Sequence, residues 1–263
     1  MNIRVLGCHG SGQLITGPQG PAECGTCGFL LNGTVLLDAG TVGSRLYLDE
    51  QRRIQAVLLT HLHFDHIRDL PTLADNLIGE IDAPVMVAGI PEVLKGLESH
   101  IFNGEVYPDF FRIPDERTPV LRALPLHAGR ETIVGGLRVT PIHVNHVVPT
   151  VGYVIEEPGT TVLFSGDTGE TDAIWDAAAR LPLLKAVFIE TSFPDDMLEL
   201  ARVSKHLTPA LVAKELQKLS RPDIPVYVYH MKPRFESRIR AELQRLDIPH
   251  LLILEEGQEL VLT

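Results

Sequence analysis

The sequence predicts one large α/β domain in which two packed β-sheets are covered by helices. Its 263 residues are enough for one domain that buries a sizeable core. Apolar residues make up 44% and charged residues 22%, which is ordinary for a globular protein and argues against long disorder. Consecutive strands dominate the first half of the chain, whereas strands and helices alternate in the second half.

Strands are predicted where apolar, β-branched runs end at Gly, Asp or His. These runs span residues 33–38, 56–60, 84–88, 152–155, 161–164, 186–189 and 225–229. The clearest predicted helices span residues 172–180, 209–219 and 234–245. The helix at 209–219 should begin with Thr208 as N-cap and Pro209 in its first turn.

A long segment without clear periodicity, residues 96–119, carries four aromatic side chains. Such a loop is either a packed flap or a lid over a binding site. We expect at least two of its aromatic residues, which are Phe102, Tyr107, Phe110 and Phe111, to lie in the core. An exposed one, for which Phe110 is the candidate, would contact the substrate.

Charge and cysteine content indicate which cellular compartment and which kinds of partner to expect. The chain has 23 Lys and Arg against 34 Asp and Glu, and this net charge of −11 disfavours the binding of nucleic acid. No apolar run reaches membrane-spanning length, and the first residues do not resemble a signal peptide. Three cysteines are too few for a disulfide scaffold, so we expect a reducing cytoplasm. The lone C-x-x-C of Cys24 and Cys27 is interpreted as buried thiols in a glycine-rich loop.

The strongest functional pattern directly follows the predicted strand 56–60 and reads THLHFDH at residues 60–66. Alternate residues of an extended segment share a face, so His61, His63 and Asp65 can point the same way. The chain then turns into a helix whose start brings His66 to the same place. Three imidazoles and a carboxylate within six positions suit zinc or a similar divalent ion. Packing is a poor explanation, because burying these groups without partners is costly.

Other candidate ligands lie further along the chain. Asp167 and His230 follow the strands 161–164 and 225–229, at the ends where open α/β sheets collect ligands. His146 is a third candidate, and spacing alone does not separate it from His143. Two metal ions about 4 Å apart can activate a shared water, and Asp167 is our choice for the carboxylate between them. The remaining histidines besides His206, which are His9, His100, His127 and His250, are interpreted as structural.

The H-x-H-x-D-H motif, with the later His146, Asp167 and His230, resembles the metallo-β-lactamase superfamily over nearly the whole chain. Asp38 matches the structural aspartate of that superfamily. The resemblance implies an αβ/βα four-layer sandwich and two divalent metal ions, Zn²⁺ first and Mn²⁺ or Fe as alternatives. It implies one metal on His61, His63 and His146 and a second on Asp65, His66 and His230, with Asp167 bridging. His146 is preferred to His143 because the pattern H-x-x-P-x-x-G-Y at 146–153 is similar to the phosphodiesterase branch, which includes ribonuclease Z.

Three segments resemble class II cyclic-nucleotide phosphodiesterases: FIETSF at 188–193, HLTP at 206–209 and HMKP at 230–233. The resemblance implies hydrolysis of 3′,5′-cyclic AMP or GMP to nucleoside 5′-monophosphates. Asp65 would orient the attacking water, and Lys232 and Thr191 would contact the substrate. His206 would protonate the leaving group, unless it only caps a helix. Glu190 is either the partner of a catalytic or ligating histidine or an ordinary strand-end carboxylate.

Other activities of the same fold stay open. Ribonuclease Z shares the metal ligands, but its Gly- and Lys-rich arm for tRNA is not evident here. A net charge of −11 also disfavours the binding of RNA. A thioesterase or lactonase fits the segments at 190–193 and 206–209 less well. A scaffold without activity is disfavoured because each expected ligand is present. The expected partner is a small cyclic nucleotide, without nucleic acid or membrane, and a homodimer is left open.

Overall fold

The structure is a computed structural model that describes residues 1–17, 20–221 and 223–263. Its strands are β1 (Asn2–Gly7), β2 (Gln13–Gly17), β3 (Gly20–Cys24), β4 (Gly28–Leu31), β5 (Val35–Leu37), β6 (Ala56–Leu58), β7 (Val85–Gly89), β8 (Leu121–Pro125), β9 (Thr132–Val134), β10 (Leu137–His143), β11 (Val151–Glu157), β12 (Thr160–Phe164), β13 (Leu184–Glu190), β14 (Val226–Tyr229), β15 (Leu251–Ile253) and β16 (Glu259–Val261). Its helices are α1 (Leu48–Gln51), α2 (Phe64–Ile67), α3 (Leu70–Leu77), α4 (Pro91–His100), α5 (Ala173–Ala178), α6 (Leu198–Ser204), α7 (Pro209–Leu216) and α8 (Glu236–Arg245).

Two mixed sheets form the centre of the molecule. The first has the strand order β16-β1-β4-β5-β6-β7-β8 and the second β15-β14-β13-β12-β11-β10-β9. In each sheet one half is parallel, β5 to β8 and β12 to β15, and the other half is antiparallel. The strands β2 and β3 form a separate hairpin.

Aromatic side chains join the inner faces of the two sheets. Phe29 of β4 lies 5.3 Å from the ring centre of Phe164 of β12, which stacks at 4.0 Å on Phe188 of β13. On the outside of the second sheet, α5 and α7 bury Trp175 and Val212 in a separate apolar cluster. Helix, sheet, sheet and helix thus form the predicted four-layer sandwich, which is confirmed.

The aromatic segment at 96–119 begins inside a helix, since residues 96–100 belong to α4. A Cβ on Gly96 would lie 2.0 Å from Leu62, so glycine lets α4 pack directly behind the metal-ligand motif. Phe102 and Phe110 are 1% and 2% exposed, which confirms that at least two of the aromatic residues are core residues. The prediction that Phe110 contacts the substrate is therefore wrong. The centre of its ring lies 6.4 Å from that of Phe102, inside the apolar cluster.

No helix in the described part of the chain is both long and apolar enough to cross a bilayer.

Candidate metal centre

The seven predicted metal ligands meet in one cleft. The motif 61–66 follows β6 and enters α2, Asp167 follows β12, His230 follows β14, and His146 lies in the turn between β10 and β11. His143, the competitor of His146, is exposed on β10 and is not part of this cluster. Because β6 belongs to the first sheet and β10, β11, β12 and β14 belong to the second, loops from both sheets meet in this cleft.

The first group of ligand atoms joins His61, His63, His146 and Asp167. Their ligand atoms all lie within 4.8 Å of one another. Nε2 of His146 is 3.2 Å from Nδ1 of His63, and Nε2 of His61 is 3.7 Å from Oδ2 of Asp167. This convergence matches the ligand set expected for the first metal.

The second group joins Asp65, His66 and His230. The Nε2 atoms of His66 and His230 are 3.2 Å apart, and Nε2 of His230 is 3.3 Å from Oδ2 of Asp65. Oδ2 of Asp167 lies 3.4 Å from Nε2 of His66 and 3.2 Å from Nε2 of His230. Since Asp167 also belongs to the first group, its carboxylate stands where a bridging ligand is needed.

Two buried atoms in this cleft show that the residues fit a cation. Among the described residues, His61 Nε2 and Asp167 Oδ1 are buried without any hydrogen-bond partner. Leaving such acceptors unsatisfied in the interior is costly, and a divalent ion would satisfy both. Imidazole and carboxylate donors with this density suit Zn²⁺, and Mn²⁺ or Fe are compatible with them.

A ring of outer contacts orients the imidazoles. The Nδ1–H groups donate to one acceptor each: His61 to Thr60 Oγ1 at 3.0 Å, His66 to Asp38 Oδ2 at 2.7 Å, His146 to the Lys205 carbonyl at 3.1 Å and His230 to Ser192 Oγ at 2.8 Å. Each contact leaves the Nε2 lone pair facing the cleft, as ligation requires. Asp38 also accepts from the Thr60 backbone and hydroxyl, so it fastens the strand end that carries the motif.

Thr60, Ser192 and Lys205 have roles that the sequence did not reveal. Lys205 adopts the left-handed conformation, with φ of 52°, at the end of α6. Its carbonyl and its ammonium both bind His146, the ammonium through the His146 carbonyl at 3.1 Å. Only the position of Ser192, two residues after Glu190 at the end of a strand, could have suggested that it faces the cleft.

Burial sets the protonation of several ligands. It lowers the pKa of His146 to about 4 and also lowers the pKa of His61 and His63, which favours the neutral imidazole that binds metals. Burial alone would raise the pKa of Asp167, but the charges of His230 and His66 hold it well below its ordinary value. His66 differs, because Asp167 and Asp38 raise its pKa against the effect of burial.

Glu190 and His206 form a buried pair beside the ligands. Nδ1–H of His206 donates to Glu190 Oε1 at 2.7 Å, and the Thr168 backbone N–H donates to the same oxygen at 3.1 Å. The His206 ring lies 5.0 Å from that of His146 and 5.4 Å from that of His230. Burial would lower the pKa of His206, but the Glu190 carboxylate raises it above its ordinary value. His206 does not cap α7, because Thr208 does so through its hydroxyl, as predicted.

A cavity of about 540 Å³ opens above the ligands. Its wall includes Asp65, His206 and Lys232. Lys232 Nζ donates to the Gly10 carbonyl at 3.1 Å and lies 5.5 Å from the centre of the Phe193 ring. The prediction that Thr191 contacts the substrate is wrong. Thr191 is fully buried, and its hydroxyl donates to the Glu190 carbonyl.

The C-x-x-C cysteines are buried free thiols, as expected, but Cys24 is not isolated. The structure brings His9 and Glu236 to it, with ligand atoms within 4.8 Å of one another. His9 lies between Glu256, at 2.8 Å from Nδ1, and Glu236, at 3.4 Å from Nε2. Burial opposes the charge, yet the two carboxylates raise the pKa of His9 to about 9, so it is an ion-paired structural histidine.

Replacing Ser192 with alanine should weaken metal binding by about 10- to 100-fold, the usual effect of removing an outer contact of a ligand. The hydroxyl is the acceptor that orients His230, and alanine leaves the ring free to rotate. Titration of metal-depleted protein with Zn²⁺ measures the affinity. Ser204→Ala is the matched control, since that hydroxyl bonds only the backbone of α6. Equal affinities for both variants would show that Ser192 does not orient the ligand.

Comparisons with known proteins identify the family of this chain. The model of the Beta-lactamase superfamily domain matches residues 34–231, which include the seven candidate ligands. The uncharacterized protein ML1173 of Mycobacterium leprae is 30% identical over 206 residues, 74% of this chain and 67% of that protein. Ribonuclease Z of Metallosphaera sedula is 29% identical over 157 residues, 56% of this chain, so the chain spans only about half, 48%, of that relative.

The same fold is found in solved structures. The crystal structure of unliganded yeast PDE1 superposes with a TM-score of 0.78 at 18% identity and covers 98% of both chains. An identity this low shows a shared fold and no more. The extent of the family match and the two-sheet architecture agree with each other, and the chain therefore belongs to the metallo-β-lactamase superfamily of metal-dependent hydrolases.

Proposed function

We propose that this chain is a di-metal phosphodiesterase that hydrolyses 3′,5′-cyclic nucleotides to nucleoside 5′-monophosphates. One observation carries the proposal: His206, which is hydrogen-bonded to Glu190, lies against the ligand cluster and lines the same cavity as Lys232. A leaving alkoxide is a strong base, so an imidazole that can donate a proton beside the ligands suits the cleavage of an ester with a poor leaving group.

Each residue of the site would have a separate role in such a cleavage. Two divalent ions on these ligands would lower the pKa of a shared water and supply positive charge to the phosphate oxygens. Asp65 lines the cavity and can accept a hydrogen bond from the attacking water, which orients it. Lys232 offers a point charge to a non-bridging phosphate oxygen. His206, held by Glu190, donates its proton to the departing 3′-oxygen.

The cavity favours a small diester over RNA. Its lining carries two cationic side chains, Arg68 and Lys232, in a chain whose net charge is −11. One phosphodiester needs no wide basic surface, whereas a structured RNA presents many phosphates, and binding it normally requires many cationic contacts. Ribonuclease activity is the second candidate, because a ribonuclease Z is among the relatives in sequence.

The test is chromatography of the reaction products. Zinc-loaded protein should release GMP or AMP from 3′,5′-cyclic substrates with a kcat/KM well above that for 2′,3′-cyclic nucleotides. A thioester and a lactone should be turned over poorly under the same conditions. Efficient cleavage of precursor tRNA with the cyclic nucleotides left intact would falsify the proposal and favour the ribonuclease.

A further inference from the structure

We propose that Phe64 and Arg68 form the subsite for the nucleobase, and that this subsite favours guanine over adenine. The inference rests on the proposed function, because it names the base of the cyclic nucleotide. Both residues line the cavity above the metal ligands. Phe64 begins α2 and Arg68 is its C-cap residue, four positions later and still with helical backbone angles, so both side chains lie on the same helical face.

Phe64 is an apolar side chain in an unusual place. Its side chain is 63% exposed, although its neighbours His63 and Asp65 are predicted metal ligands. Phe64 is also the one phenylalanine, tyrosine or tryptophan that lines this cavity in the described part of the chain. An exposed aromatic ring at the mouth of a polar site offers a flat apolar face, and nucleobases stack on such faces whatever their identity.

Arg68 adds hydrogen-bonding groups to this face. Its Nε donates to Asp69 Oδ1 at 3.1 Å, and its Nη2 donates to Thr41 Oγ1 at 3.3 Å, which hold the guanidinium in place. Among the described residues Nη1 has no partner. A Cβ on Gly12 would lie only 3.1 Å from Nη1, so glycine at this position lets the guanidinium reach the loop at 10–12.

The chemistry of arginine selects the base. A guanidinium has only donors, so it needs acceptors on the ligand. Guanine presents O6 and N7, which are both acceptors, whereas adenine presents the donor N6–H₂ beside its N7. An arginine that meets this edge therefore prefers guanine.

The loop at 10–12 lines the cavity between Lys232 and Arg68. The Gly10 carbonyl binds Lys232, whose charge acts on His206, and Gly12 lies beside the Arg68 guanidinium. The phosphate can therefore lie between the metal ligands and Lys232 while the base extends toward Phe64. This division leaves the aromatic face free for stacking.

Calorimetric titration of the zinc-loaded protein tests the subsite without any turnover. The probes are 5′-GMP, 5′-AMP and ribose 5-phosphate, and we expect binding to weaken in that order. Phe64→Ala should reduce the preference for GMP over ribose 5-phosphate by about 5- to 150-fold, the stacking contribution of one base. Arg68→Gln should reduce the preference for GMP over AMP within the same range. Tyr47→Ala, which removes an aromatic ring that is 84% exposed and outside the cavity, is the matched control and should alter neither ratio.

Two results would overturn the inference. If Phe64→Ala weakened GMP and ribose 5-phosphate by the same factor, the ring would not contact the base. If the unmodified protein bound AMP as tightly as GMP, Arg68 would not select guanine. Failure of the proposed function is a separate result: cyclic GMP would remain intact while the protein still distinguished GMP from ribose 5-phosphate.

Discussion

Asp167→Ala and His63→Ala should each lose bound metal and nearly all hydrolytic activity, while the fold is retained. Asp167 is the carboxylate that reaches both groups of ligand atoms, so its removal affects both metal positions. Metal ions stabilise the developing charge of the transition state by several kcal/mol, and each 1.36 kcal/mol is a factor of ten. We therefore expect a loss of at least about a thousandfold in kcat/KM.

Metal content by mass spectrometry, circular dichroism and turnover of a nitrophenyl phosphodiester measure this prediction. His143→Ala is the matched control for His63→Ala, because His143 is an exposed histidine close to His146 in the chain and outside the ligand cluster. That variant should keep both metals and full activity. Full activity in metal-depleted protein would show that the ligand cluster is not the catalytic centre.

Much of the fold follows from local patterns in the sequence. The predicted strands 161–164 and 225–229 are observed as Thr160–Phe164 and Val226–Tyr229, because continuous apolar runs are typical of strands buried on both faces. The predicted strand 33–38 ends early, at Leu37, because Asp38 takes a left-handed φ of 55°. The strand β15 was not predicted, since it has three residues and is only partly buried.

The ligands were easier to predict than their supports. His61 to His66 are neighbours in the chain, so one local motif reveals them. Ser192 meets His230 only because β13 and β14 are parallel in a register that pairs Glu190 with Tyr229. Two predicted substrate contacts, Phe110 and Thr191, are wrong for a related reason: both side chains are buried, and burial depends on tertiary packing and not on residue type.

His206→Ala should keep both metals but lower kcat for cyclic nucleotides by roughly two or more orders of magnitude, the usual contribution of acid catalysis. His206 is not needed as a ligand, because the other seven residues already supply the two groups of ligand atoms. Diesters with acidic leaving groups, such as nitrophenol, should lose much less, since they need no proton. An equal loss for good and poor leaving groups would assign His206 a structural role.

Glu190→Gln tests the negative charge of the Glu190–His206 pair separately from its hydrogen bond. Burial would lower the pKa of His206, and the Glu190 carboxylate raises it, so the imidazolium persists to higher pH in the unmodified protein. Activity that depends on this acid falls as pH rises through the pKa of His206. Glutamine keeps a hydrogen-bond acceptor at 2.7 Å but removes the negative charge, so the alkaline limb of the kcat profile should move to lower pH. If kcat were lower at every pH but the alkaline limb did not move, Glu190 would hold the His206 ring in place without changing its pKa. The metal content of this variant should equal that of the unmodified protein, because glutamine can still accept the hydrogen bonds from His206 and the Thr168 backbone, and Glu190 is not itself a candidate ligand.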